Sequence, residues 1–148
     1  MLEYSITAAT TGPARATAQC KDAQIELDTD LAGRADAFNP AELLLTAAAA
    51  CMLKGIERVG PMLGFQWRGA HVRVHGVRQD APPRMLRIDY ELVVDSEESD
   101  ARLELLHRNV RNVAHAVRMH AGRSDFHPRA PLRQAIRRGT VFQYSLEY

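Results

Sequence analysis

Apolar and polar residues alternate through the first stretch of the chain. Leu2, Tyr4 and Ile6 stand between polar neighbours, and Thr10-Thr11-Gly12-Pro13 reads as a turn that returns the chain antiparallel over Ala14 to Cys20. Ile25 and Leu27 alternate with Gln24 and Glu26, which predicts a short strand over Ala23 to Leu27; residues 29–38 hold no period and read as a loop. The pattern then changes. Asn39-Pro40-Ala41-Glu42 puts Asn at the N-cap, Pro at the first helical position and Glu at the third. From Leu43 to Leu53 every residue except Thr46 and Cys51 is Ala, Leu or Met. A helix apolar on nearly all sides is expected to be buried by a sheet and by a second surface as well. The alanines at 47–50 permit close approach of another backbone, and Glu57, Arg58, Gly60 and Pro61 mark where the helix ends or bends.

Two better-marked strands follow, His71 to Val77 and Leu86 to Leu92, joined by Asp80-Ala81-Pro82-Pro83 and expected to form an antiparallel hairpin. A second helix is predicted from Ser96–Asp100 onward, with an apolar stripe of Leu103, Leu106, Val110, Val113 and Val117 and a stop at Gly122. Pro131 to Arg138 reads as a short helix, and Val141 to Leu146 as a last strand. The order βββ-α-ββ-α-(α)-β predicts one α+β domain over residues 1–148, with mixed strand pairing. So small a domain has too little chain to cover a fully apolar helix. A homodimer, in which the second subunit supplies the cover, is the natural solution.

Composition narrows the class. The 148 residues are 46% hydrophobic and 25% charged, which is globular rather than disordered. No apolar run approaches the ~18 residues of a membrane span. The start MLEYSITAAT lacks the form of a signal peptide, and two cysteines are too few for a disulfide scaffold, so a cytoplasmic location is expected. Net charge is +1 but uneven: residues 102–148 hold nine arginines against three acidic side chains. Nucleic-acid binding is still not expected, because Phe126 is the one aromatic residue among those arginines and base stacking wants several.

Chemistry-bearing residues are few. Cys51 on an Ala/Leu helix reads first as a small buried hydrophobe, and a thiol in apolar surroundings is inert. It lies eleven residues past Pro40, beyond the reach of the helix N-terminal dipole. Reactivity would require a cation from elsewhere, most simply a guanidinium. The histidines do not form a metal site: His71 and His75 share a strand face but stand about 13 Å apart at ~3.3 Å per residue. His107, His115 and His120 miss the helical ligand spacing and read as surface or half-buried residues.

The stretch Phe38-Asn39-Pro40-Ala41-Glu42-Leu43-Leu44-Leu45-Thr46-Ala47-Ala48-Ala49-Ala50-Cys51 resembles the Cys-bearing helix of the OsmC/Ohr family, which reads Asn/Thr-Pro-x-Glu-Leu-Leu, several small residues, then Cys. The element order fits that family from end to end, and Leu105-Leu106-His107-Arg108-Asn109-Val110 resembles the start of its second long helix. The resemblance implies a βββαββαβ fold, an intertwined homodimer with two sites at the interface, and reduction of organic hydroperoxides without a cofactor. In that chemistry a Cys takes the peroxide oxygen as a sulfenic acid, a second Cys forms a disulfide, and a dithiol donor restores both.

Residue by residue, Cys51 matches the peroxidatic position. The family's second Cys would fall around Val113 to Ala116, with Ala114 the best placement, and none of these is Cys. The family's Glu ten residues before the reactive Cys is Ala41 here; Glu42 lies one residue, ~100° of rotation, away, and its capping role already accounts for it. Glu42 remains a candidate site residue, because some relatives keep only this second Glu. Arg15 and Arg34 are the candidates for the activating arginine, each otherwise an exposed surface residue. Cys20 would resolve an oxidised Cys51 only if their Cα atoms lay within ~7 Å, and a plain strand residue is the simpler reading. The expected function is thiol-dependent hydroperoxide reduction through Cys51, rescued by an external thiol. The alternative is a non-catalytic dimer of the same fold that binds a small apolar or anionic ligand.

Overall fold

The structure, a computed structural model, describes residues 1–113 and 139–147, with side chains through residue 112. The expectations placed on Ala114, His115, Val117, His120, Gly122 and the helix Pro131 to Arg138 lie outside the described residues. The chain packs as two compact units, Met1–Leu44 and Leu45–Tyr148.

The first unit is a three-stranded antiparallel sheet of β1 (Thr7–Gly12), β2 (Arg15–Cys20) and β3 (Ala23–Asp28), in that order. Leu2, Tyr4 and Ile6 alternate in sequence but precede β1 and are exposed. Thr7 pairs with Gln19 and the chain turns at Lys21, so residues 1–6 have no strand of this sheet to pair with. The first turn is Pro13-Ala14, later than the expected Thr10 to Pro13. Pro13 presets its own φ, and Ala14 takes the left-handed backbone, φ 57°, that such a turn demands at its next position. Lys21 does the same in the second turn, with φ 55°.

Beyond β3 the loop is organised by Asp28, which is buried. Its carboxylate accepts the amides of Asp30 (2.8 Å) and Arg34 (2.9 Å), and its own amide donates to Phe38 O. That closure delivers the chain to α1 (Pro40–Met62). The capping box is present: Asn39 Oδ1 accepts from the Glu42 amide at 3.0 Å, and Glu42 Oε2 accepts from the Asn39 amide at 2.9 Å.

α1 runs through Gly60 and Pro61 instead of ending there. Pro61 sits in the last turn, where one missing amide is tolerated, and the stop comes at Gly64, φ 57°. Gly64 N donates to Pro61 O and Phe65 N to Gly60 O, the paired bonds of a Schellman cap. The helix buries Ala48, Met52, Gly55, Ile56, Val59 and Gly60, while Ala47, Ala50 and Leu53 are exposed. Cover on every side, as its composition predicts, is therefore met on one flank only by the described chain.

The second unit holds β4 (Gly69–Gln79), β5 (Arg84–Asp95) and β6 (Gly139–Glu147) in a sheet with β5 central. Both ladders are antiparallel, so among the described residues the expected mixed pairing is not found in either sheet, and the parallel contact there is an isolated bridge, Leu27 to Phe38. Pairing of Val72 with Leu92 and Val74 with Tyr90 puts these four on one face, and His71, Arg73 and His75 on the other, exposed. α2 (Asp100–Val113) buries Leu103, Leu106 and Val110, the front of the predicted stripe. The core joins these three to Met52, Ile56, Val59, Phe65, Tyr90, Leu92 and Val94. Arg102 fastens the start of α2 to the end of α1: it bonds Glu98 and the carbonyls of Leu63 and Gly64, and its guanidinium lies 5.9 Å from the Phe65 ring centre. Helix and sheet meet closely at Gly76, where a Cβ would come within 3.0 Å of Leu45 Cδ2.

Candidate functional site

The rotation of α1 sets the exposure of Cys51. Ala48 and Gly55, three residues before it and four after, are buried; Ala47 and Lys54, four before and three after, are exposed. The thiol thus sits on the border between the two flanks of the helix and is half-buried. A sulfur in this position combines apolar surroundings on one side with an approach on the other. Lys54 is a cation on the same flank one turn on, a residue that the spacing from Cys51 made available in the sequence and that a search for arginines passes over.

In the first unit the two candidate arginines converge on one carboxylate. Arg34 Nε donates to Asp36 Oδ1 at 2.9 Å and Nη2 to Oδ2 at 2.7 Å, a two-bond fork. This contact holds the Asp36 carboxyl below the usual carboxylate range, and the charge of Arg15 adds to the effect. The same fork raises the Arg34 guanidinium above its ordinary value. Arg15, at the start of β2, is exposed. Arg34 is not: its side chain retains 11% of its surface, and Nη1 is buried with no hydrogen-bond partner among the described residues. A buried guanidinium N–H without an acceptor is costly, and a ligand or group that accepts there removes the cost. Asp28, which fixes this arginine at its backbone, has a signal in the sequence, because Asp28-Thr29-Asp30 is an Asx-turn pattern that halts the strand before it; Asp36, which fixes its side chain, has none.

Glu42 is exposed and spends its carboxylate on the Asn39 amide, the capping role its position predicts. Cys20 is exposed at the end of β2, its sulfur 3.6 Å from Ser5 O, and neither cysteine is in a disulfide. His71 and His75 are exposed, but His107 is buried in the core, against the surface or half-buried placement expected for it. Among the described residues no three His, Cys, Asp or Glu side chains group as metal ligands, and no helix is long and apolar enough to cross a membrane.

Residues 33–126 match the family model described as OsmC-like protein. The chain belongs to this family. Its fold is similar to that of the OsmC-like protein from Mycoplasma pneumoniae, at 24% identity and a TM-score of 0.71 over 78% of this chain and 84% of that one. It is also similar to the organic hydroperoxide resistance protein OhrB of Bacillus subtilis, at 19% identity and a TM-score of 0.54 over 80% of this chain and 93% of that one. An organic hydroperoxide resistance protein from Legionella pneumophila is 19% identical with a TM-score of 0.58, again over 80% and 93%. At such identities the likeness carries the OsmC-like α+β fold. No curated protein matches the chain in sequence.

Proposed function

We propose that this OsmC-like protein has a stress-related role and reduces organic hydroperoxides through the single nucleophile Cys51, in the cytoplasm and as a homodimer. The observation that carries the reading is the border position of Cys51, half-buried on the helix whose sequence resembles the family's Cys helix. The Cys51 thiolate attacks the outer peroxide oxygen, the O–O bond breaks, and the alkoxide leaves with a proton as the alcohol; Cys51 becomes a sulfenic acid. An external thiol then displaces water to form a mixed disulfide, and a second thiol releases Cys51 and a small disulfide. Arg34 is the preferred activating cation over Arg15, because its side chain is mostly covered, is forked onto Asp36 and has its Nη1 without a hydrogen-bond partner among the described residues. The exposed Ala47, Ala50 and Leu53 support a second copy as the cover of α1.

The test is consumption of cumene hydroperoxide with dithiothreitol as reductant. Wild type and Cys20→Ser turn over, Cys51→Ser does not, and Arg34→Gln loses far more rate than Arg15→Gln. Equal rates for wild type and Cys51→Ser overturn the proposal. A non-catalytic, ligand-binding dimer is favoured instead by Ala41 at the family's Glu position and by the commitment of Glu42 to the cap. Alkylation of Cys51 at pH 6.5 separates the two: a peroxidatic thiolate labels there, and a passive core thiol does not.

A further inference from the structure

The exposed flank of α1 changes character beside Cys51. From Ala47 to Leu53 its exposed residues are apolar, Ala47, Ala50 and Leu53; the next three are Lys54, Glu57 and Arg58. At ~100° per residue, Lys54 lies ~60° round the helix from Cys51 and Arg58 only ~20°, one and two turns further on, whereas Glu57 lies ~120° away. Both cations therefore share the side of the helix that carries the sulfur, and the carboxylate does not. Lys54, Glu57 and Arg58 are in none of the ion pairs formed among the described residues. Lys54 and Arg58 stand four residues apart, where like charges repel, so helix stability gives no reason for the pair. Charged groups resist burial without partners. The cover proposed for Ala47, Ala50 and Leu53 thus leaves this end of the flank to water.

Two small molecules must reach the sulfur in the proposed cycle, and they ask different things of it. The hydroperoxide brings an alkyl group, which suits the apolar part of the flank. The thiol that follows reacts as its thiolate, an anion, and cations beside the sulfur stabilise that anion as it arrives. A carboxylate on the same thiol adds a second charge for the ammonium or the guanidinium to hold. The spacing suits a short molecule: Lys54 and Arg58 stand ~4.5 Å and ~10.5 Å along the axis from Cys51, a few bonds from thiol to carboxylate.

We propose, resting on Cys51 as the nucleophile, that Lys54 and Arg58 form a carboxylate-binding site beside it and select a small carboxylate-bearing thiol as the partner of its mixed disulfide. The incoming thiolate sulfur bonds to Cys51 Sγ, the S–O bond of the sulfenic acid breaks, and the hydroxyl leaves with a proton as water. A second molecule of the thiol then bonds to the first through sulfur, and Cys51 departs as the thiol.

The test forms that mixed disulfide directly in the full-length Cys20→Ser protein. The probes are the disulfides of 3-mercaptopropionate, mercaptoethanol and cysteamine, which are doubly negative, neutral and doubly positive. Rates are followed by mass spectrometry and divided by those of free N-acetylcysteine amide, and ratios between probes cancel the nucleophilicity of Cys51 itself. Salt is ~0.1 M, where a Debye length of ~10 Å confines the comparison to nearby charges. The negative disulfide is expected to react about fivefold faster than the neutral one, and the positive one slower by a similar factor. Lys54→Gln with Arg58→Gln brings both ratios near one, and either single variant stands in if the double one does not fold. Arg73→Gln, an equal loss of charge on the sheet face turned away from α1, keeps the ratios. Equal rates for the three disulfides, or ratios that survive the double substitution, overturn the proposal. Consumption of cumene hydroperoxide with each of the three thiols tests the peroxidase reading separately. Failure with all three while the charge order persists strikes that reading and leaves the carboxylate site standing.

Discussion

Replacing Gly60 by alanine probes the packing at the end of α1. A Cβ there would stand 2.6 Å from Trp67 Cη2 and 3.1 Å from Cε3, well inside the ~3.5–4 Å at which carbon atoms attract. The backbone cannot yield cheaply, since Gly60 O accepts from both Leu63 N and Phe65 N in the helix cap. The indole must therefore move, and Trp67 packs against the central cluster with Phe65 and Val59. Overpacking of this kind costs about 1–3 kcal/mol, and alanine's better helix propensity offsets about 1 kcal/mol of it. With three ring carbons of Trp67 this close, the upper part of that range applies, about 2–3 kcal/mol, and the expected net loss is about 1–2 kcal/mol. Trp67 is the sole tryptophan, so its emission during urea unfolding reports both the stability and the disturbed contact. Gly69→Ala, where an added Cβ meets nothing within 4 Å, is the control and is expected to be near neutral. A Gly60→Ala protein as stable as wild type, with unchanged emission, would refute the reasoning.

Three further outcomes follow from the same geometry. Leu106→Ala empties a site that is 1% exposed and is expected to cost about 2–5 kcal/mol in chemical denaturation. Asn39→Ala removes the acceptor for the Glu42 amide and should cost about 1 kcal/mol, with helix loss by circular dichroism confined to the start of α1. Glu98 is held below its ordinary value first by Arg102 and then by the Gln66 amide. Its stabilising share is therefore present above the unfolded value of 4.5 and is lost as pH falls through the lower folded one; Glu98→Gln should flatten the acid limb of the stability curve and reduce its salt dependence.

Local signals carried much of this architecture. Asn39-Pro40-Ala41-Glu42 names the first turn of α1, because cap, proline and glutamate act on neighbouring backbone groups and need no tertiary context. The hairpin of β4 and β5 was legible for the same reason, its turn confined by Pro82 and Pro83. What was misread depended on pairing at a distance. Leu2, Tyr4 and Ile6 alternate like a strand, yet β2 turns before it reaches them. Gly60 and Pro61 looked like a stop, but the cap bonds form around Gly64 and the apolar Phe65 follows it into the core. At the candidate site, Cys51 was marked by the motif around it. The Asp36 fork on Arg34 was hidden, because two residues apart in an aperiodic loop say nothing of their geometry until Asp28 folds that loop.

Ala14 and Lys21 hold positive φ without being glycine. Each turn thus keeps a conformation its own residue resists, and glycine at either position would ease the hairpin at the modest expense of a looser denatured chain. These corners lie within the sheet of the first unit and not in the α1 motif, so they form a reserve on which selection or engineering can draw to raise robustness.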